Sequence, residues 1–485
     1  MDSNTTYVAL SYCWGRGQKL TLTSETAESL YTGILLASLP LTFQQAMELT
    51  TRLSIRYIWI DALCIQQDSI DDWRTESAKM GDVYANAHLV ISADTSPDVD
   101  SGFLSPRRSA NHVVELANSS VSNNSATSVV LYEHDYRDVF DPLHEIHELF
   151  LPFSYQKRAT NDPVFTRAWC LQERMSATRV VHFTSCEMVW ECRSETFCEC
   201  QGLNRYNRHQ SCRRIDVKYL SKQRYHQHQR GQTSKEHRIR DWYDIVRDYS
   251  DRLLTLDADR LPAISALAKG LESPLLGNYL AGLWSADLPN ALLWHCWTTG
   301  VSYNSRLEYR RSYNFVAPTW SWASVFGPIT WGKYRSTNRQ YVSKVLDVSC
   351  DAASSDRHAQ IKHGSLIIEA PMTSAVLHCR PYSIDSNTSL PTASISLSGH
   401  VSCQRSPQED ACYPDLNWSP TGFSIDVQCI LISRIDDEEW VNYEALLVVP
   451  SSKEAGVFTR VGLAHIRPKR SFQSLERNRT ILMIY

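Results

Sequence analysis

No run of about 18 apolar residues, the least that spans a bilayer as a helix, occurs anywhere in this 485-residue sequence. Its first residues are polar and pass directly into an apolar segment, without the basic region, apolar core and cleavage site of a secretory signal. An excess of either charge is missing too. With 49 basic and 53 acidic residues the formal charge is −4, which gives no broad attraction to nucleic acid or anionic lipid. The one basic run, Lys218 to Arg240 with interleaved His and Gln, reads first as a solvated loop and second as a polyanion contact. There is no Gly-x-x-x-x-Gly-Lys-Ser/Thr phosphate loop, which excludes the usual nucleotide-binding motor. No internal repeat appears, so no repeat-built sensor is expected. Closely paired cysteines of the zinc-knuckle kind are lacking: Cys186, Cys192, Cys198 and Cys200 are separated by five, five and one residues, with Cys212 further on. Trp190 beside Cys192 points to packing, and no metal is expected. The chain is therefore expected to be soluble and cytoplasmic, with neither a nucleic acid nor a membrane as partner. Its 14 cysteines should be buried thiols in a reducing compartment, and sequons such as the one at Asn417 carry no weight.

What is present is ordinary globular composition, with length for two or three domains. Tyr7 to Tyr12 is a short apolar run that stops at Cys13, Trp14 and Gly15, the pattern of a buried strand ending in a turn. Leu41 to Leu53 places Phe43, Ala46, Met47, Leu49 and Leu53 at helical spacing after Pro40, with Thr42 as the expected N-cap. Ile55 to Ile60 reads as a strand, Asp71 to Ala87 as an amphipathic helix with Asp71 or Asp72 at its start, and His88 to Ala93 as a strand. Periodicity then fades into Ser/Asn-rich sequence, an insertion over about 95–160. Helix resumes at Pro163 to Met175, followed by strands at Arg179 to Phe183 and Met188 to Cys192. Alternating strands and helices predict a parallel sheet with helices on both faces, since parallel neighbours need crossovers. Helix is expected at Asp241 to Leu254, Ala263 to Gly270 and Tyr279 to Leu283. After Trp320, Val342 to Val348, Ser365 to Ala370, Ser394 to Ser398, Ile425 to Ile432, Ala445 to Val449 and Val457 to Ile466 read as antiparallel strands. The domain division is thus 1–200, a helical 201–330 and a β-rich 331–485.

Three phrases stand out: YVALSYCWG from Tyr7, YIWIDALCIQQDSIDDWRTESAKMGDVYANA from Tyr57, and RAWCLQE from Arg167. In this order they resemble the fungal heterokaryon-incompatibility (HET) domain over roughly Tyr7 to Arg193. RLPAISALAKG, YLAGLW, LLW and APTWSWASVFGPI resemble segments that accompany it, extending the likeness to about residue 330. Members of that family usually carry sequence ahead of their first strand, so this chain is expected to be a short form or a truncated gene model. HET domains are in turn similar to the Toll/interleukin-receptor (TIR) fold, a flavodoxin-like α/β sheet. Here Trp169, Cys170 and Glu173 match the Trp-Cys-x-x-Glu phrase that TIR domains carry on the helix after their third strand.

Many TIR enzymes use that glutamate to cleave NAD, so the resemblance implies Glu173 as the catalytic residue and NAD as substrate rather than cofactor. One carboxylate suffices, because nicotinamide departs as a neutral base and needs no proton, unlike the leaving group of an O-glycoside. Equally compatible with Glu173 is a helix-surface acid paired with Arg167 or Arg174. Ligands of parallel sheets sit at the carboxyl ends of the strands. Ser11, Tyr12, Trp14 and Gly15 end the first strand, where hydroxyl, backbone N–H and close approach suit ribose or phosphate, or make a plain turn. Asp61 ends the second strand and either binds a ribose hydroxyl or caps the loop. Trp169 either flanks a flat ring or belongs to the core. A thiol–base pair of Cys170 and His182 has no sequence logic behind it. The resemblance therefore implies a nonself-recognition or cell-death effector that hydrolyses NAD, homo-oligomeric on activation and responsive to an unknown protein. The alternative is a non-catalytic interaction module signalling by self-association.

Overall fold

The computed structural model describes residues 5–16, 20–104, 113–117, 128–132, 162–185, 188–199, 222–229, 231, 233–296, 310–332, 338–354, 356–379, 393–397, 401–402, 412–415, 422–436, 440–452, 454–468 and 475–485. The chain divides into two compact units, Met1–His226 and Gln227–Tyr485. No helix among the described residues is long and apolar enough to cross a membrane.

The first unit is built on β1 (Tyr7–Ser11), α1 (Ala27–Thr32), α2 (Leu41–Arg52), β2 (Tyr57–Trp59), α3 (Asp61–Cys64), α4 (Ile70–Asn86) and β3 (Leu89–Ser92). A separate antiparallel pair, β4 (Val113–Ala117) and β5 (Ser128–Tyr132), follows. Then come α5 (Ala168–Ser176), β6 (Arg179–Phe183), β7 (Met188–Cys192) and β8 (Thr196–Cys198). One sheet has the order β2-β1-β3-β6-β7-β8. As the strand–helix alternation predicts, the four segments β2, β1, β3 and β6 lie side by side and parallel, in the registers Tyr7↔Tyr57, Val8↔Leu89 and Val90↔Val180. β7 and β8 extend the sheet antiparallel.

Period-two alternation splits β1 between two cores. Val8, Leu10 and Tyr12 meet Phe43 and Ala46 of α2 on one face, whereas Ala9 and Val90 meet Met80 and Tyr84 of α4 on the other. Thr42 is not the N-cap expected of it. Pro40 holds that place without a side-chain bond, and the buried Thr42 hydroxyl lies 3.1 Å from that of Ser96 instead. The cap of α4 is Ser69, whose hydroxyl accepts from the Asp72 amide at 3.2 Å, with Asp71 and Asp72 in the first turn, where negative charge suits the helix dipole.

In the second unit, α6 (Lys235–Ser250) starts six residues ahead of the Asp241 to Leu254 expectation, ends four short of it, and buries Trp242, Val246 and Tyr249. Tyr279 to Leu283 is not helical. Tyr279–Leu280 and Leu283–Trp284 pair antiparallel around Ala281 and Gly282, both at positive φ (48° and 96°). The reason is tertiary: the Gly282 carbonyl accepts from the indoles of both Trp242 and Trp322 at 2.8 Å, and a Cβ on Gly282 would stand 2.5 Å from the Trp322 nitrogen. The β-rich expectation after Trp320 is met. Ile361–Cys379 is the central strand of a ten-stranded sheet, antiparallel to Lys344–Ala352, Ala393–Leu397, Phe423–Asp436 and Arg479–Ile484.

This unit is pinned by Arg460, fully buried on Val457–Ile466. Its guanidinium donates to Asp415 (2.8 Å) and to the carbonyls of Leu292 (2.6 Å) and Trp294 (2.5 Å), and lies 3.5 Å over the Trp294 ring. Arg460→Leu should destabilise the unit by about 3–5 kcal/mol, because it leaves the buried Asp415 charge without its closest partner. Denaturant unfolding checks this, and a cost below about 1 kcal/mol would show that Arg311, 3.6 Å from Asp415, suffices.

Candidate functional site

Strand order reverses in direction beside β1, since β2 lies on one side of it and β3 and β6 on the other, and the carboxyl ends of parallel strands at such a point form a natural ligand crevice. Ser11 ends β1 on the face covered by α4 and α5. Pro163 to Met175, expected as one helix, is broken: Pro163–Thr166 forms a 3₁₀ turn, Arg167 is extended (φ −95°, ψ 132°), and α5 starts at Ala168. The break turns α5 down onto the strand ends. Glu173 is thereby buried, at 5% exposure, and its carboxylate accepts from the Ser11 hydroxyl at 2.5 Å. Burial pushes the Glu173 carboxyl up to about 7, and nearby Asp61 adds to this; the Ser11 bond, the Arg167 guanidinium and the Tyr84 hydroxyl act the other way. Tyr84 donates to the Leu10 carbonyl at 3.0 Å and thus stands at the same strand end.

Asp61 opens α3 and is the second carboxylate here. It accepts from the Tyr12 hydroxyl (2.7 Å), the Trp14 indole (2.8 Å) and its own helix's Ala62 amide (2.7 Å). Burial raises its pKa, and those three donors offset part of the rise. Tyr12 and Trp14 are thus tied to Asp61. Gly15 has φ 74°, and a Cβ there would fall 2.3 Å from that of Asp98, so only glycine lets the loop after β1 pass so close.

The sequence candidates Ser11, Tyr12, Trp14, Gly15, Asp61 and Glu173 therefore gather at the ends of β1 and β2. Trp169 is half-buried and packs against the core cluster that holds Met80 and Tyr84, edge-on to Trp73 at 6.4 Å. Arg174 pairs with Glu191 and not with Glu173. Cys170 and His182 do not pair either: the thiol points to the Tyr12 carbonyl (4.0 Å), whereas the imidazole lies between Asp94 and Glu191. Cys13 and Cys170 are buried thiols packed with Val164, and burial pushes Cys13 up to about 12, which makes it a poor nucleophile. Cys186, Cys200 and Cys212 lie outside the described residues, as does the side chain of Cys198.

Sequence reasoning missed a second polar group beneath α5. Asp94 accepts from Ser92 (2.6 Å) and meets His182 Nδ1 at 2.9 Å; His182 Nε2 is 3.4 Å from Glu191, and Arg174 donates twice to Glu191 at 2.8 Å. Lys222 Nζ is 3.8 Å from the same carboxylate. Burial opposes the charge on His182, but Asp94 and Glu191 outweigh it and raise its pKa. Glu191 is held well below the usual carboxylate range, as Arg174, Lys222 and His182 overcome its burial. Only the polar endings of three apolar strands, at Ser11, Ser92 and His182, signalled this layer in the sequence.

Fold and site together define an α/β domain with a hydrogen-bonded carboxylate buried at its strand ends. Residues 7–173 match the family described as Heterokaryon incompatibility protein (HET), so the first unit carries a HET domain. Neither a curated protein nor a solved structure matches the chain.

A carboxyl held near 7 when folded and about 4.5 when unfolded favours folding less as pH rises, because between those values the unfolded chain binds fewer protons. Glu173→Gln keeps an acceptor for Ser11 and removes the charge. It should match the parent in stability near pH 4.5 and exceed it at pH 8, by up to about 3 kcal/mol. Denaturant midpoints at the two pH values check this; a difference independent of pH would mean that Glu173 titrates normally.

Proposed function

We propose that the HET domain is a TIR-like, cytoplasmic effector of fungal nonself recognition and cell death that hydrolyses the nicotinamide–ribose bond of NAD. The observation that carries this reading is the carboxylate of Glu173, hydrogen-bonded to Ser11 at the strand ends on a helix bearing the Trp-Cys-x-x-Glu phrase. The order of the parallel strands, with the first between the second and third, agrees with a flavodoxin-like core.

In the reaction the C–N bond breaks with its electron pair leaving on nicotinamide. The ribose becomes an oxocarbenium-like cation, and ionised Glu173 stabilises it. At about 4 Å and an effective dielectric near 20 the attraction is roughly 4 kcal/mol, about 10³-fold in rate if felt only in the transition state. Water then attacks the ribose carbon. Its proton passes to Glu173, whose pKa near 7 suits a general base, and then to solvent, leaving nicotinamide, ADP-ribose and one proton. Asp61, held by Tyr12 and Trp14 at the same strand ends, is the group that would bind a ribose hydroxyl. Self-association would order the strand-end loops and exclude water from the crevice.

The burial of Glu173 favours a second reading, in which the acid only fastens α5 and the domain is a non-catalytic module. Nicotinamide release by the full chain, alone and under forced oligomerisation, separates the two. The expected result is turnover that rises with pH through about 7 as Glu173 ionises, and its loss by at least about 10³-fold in Glu173→Gln. No release from the wild-type oligomer, at any pH, would leave the interaction module.

A further inference from the structure

Ser11, Ser92 and His182 are register partners on the adjacent strands β1, β3 and β6, and form one polar row on the face beneath α5. Glu191, on β7 opposite Val180, lengthens the row by one strand. Glu173 and Arg174, consecutive on α5, reach its two ends: Glu173 accepts from Ser11, and Arg174 forks onto Glu191. Consecutive helical side chains diverge by about 100°, so both can meet the sheet only when the helix axis lies over the row between them. Rolling α5 one way lifts Glu173 from Ser11; rolling it the other way breaks the fork.

We propose that Arg174 is a positioning residue, its bidentate pair with Glu191 fixing the roll of α5 and thereby keeping Glu173 on Ser11. The pair suits that task. Its two parallel N–H···O bonds define an orientation as well as a distance, and the side chains are only 17% and 4% exposed. Glu191 is itself held from behind by His182, which Asp94 orients, and by Lys222, so the anchor is rigid. His182, Glu191 and Lys222 lie beyond residue 173, where the family match ends, so the seat of Glu173 is completed by chain outside the matched segment.

The inference rests on Glu173 being the reactive group, but its test needs no substrate. In the full chain labelled with carboxyl-¹³C glutamate, the Glu173 signal is the one lost in Glu173→Gln. Arg174→Lys keeps the charge and loses the fork. Freed from Ser11, Glu173 should titrate about 0.5–1 pH unit higher. Ser11→Ala should give a similar shift, and the double variant no more than either, since both remove the same bond. Should Arg174→Lys not fold, Glu191→Asp, which keeps the charge but draws it back from the fork, is titrated in its place, with the same shift expected. An unchanged midpoint in the folded variant, or shifts that add, would overturn the proposal. These shifts without NAD turnover in the parent chain would retire the NAD reading and leave the positioning role standing; turnover with an unchanged midpoint would do the reverse.

Discussion

Seating a carboxylate between a helix and a sheet costs desolvation energy that hydrogen bonds and nearby cations only partly return. Everything distinctive in the first unit follows from where that cost is accepted. Glu173 has one hydroxyl donor, a tyrosine beside it and one guanidinium in its surroundings, which leaves its carboxyl near 7. Glu191, equally buried on β7 beneath the same helix, has a bidentate arginine, a lysine and a histidine, which hold it well below the usual carboxylate range. Two acids in one layer are thereby driven to opposite protonation behaviour by their neighbours. Such a pair is the arrangement by which a protein separates a reactive group from a structural one. The difference also divides the labour, with the Arg174–Glu191 pair the fixed contact of the helix and Glu173 the contact that can change charge.

Much of the architecture was legible because it rests on periodicity. Tyr7 to Tyr12, Ile55 to Ile60, His88 to Ala93 and Arg179 to Phe183 are short, largely apolar runs, as parallel strands covered by helices are, and the runs after Trp320 are strand-like segments set between turn residues. The misreadings are tertiary. Tyr279 to Leu283 has helix-compatible composition, but two tryptophan indoles capture the Gly282 carbonyl and fold the segment into a hairpin. Thr42 looks like a cap, yet its hydroxyl is drawn into the loop that holds Ser96 and Asp98. Within the site, the grouping of Ser11, Tyr12, Trp14, Asp61 and Glu173 was readable from strand ends and one short phrase. The Asp94–His182–Glu191–Arg174 layer was not, because its members come from four separate segments and only strand register brings them together.

The second unit solves the problem of buried charge differently. Arg460 is paired with Asp415 and gives its remaining donors to backbone carbonyls over a tryptophan ring. Its aromatic cluster, in which Trp242, Tyr279 and Trp284 stack edge to face, likewise serves packing. The proposed chemistry draws on the strand ends of the first unit alone.

The central claim is that Glu173 faces the nicotinamide ribose and changes charge when it does. Calorimetric titration of the full chain with a non-cleavable carbocyclic analogue of NAD, in buffers of differing ionisation enthalpy, tests it directly. At pH 7 the cationic ring should drive the carboxyl toward its ionised form, releasing up to about half a proton per site, and Glu173→Gln should bind without release. Binding with no proton exchange in the parent chain, or identical release from the glutamine variant, would contradict the account.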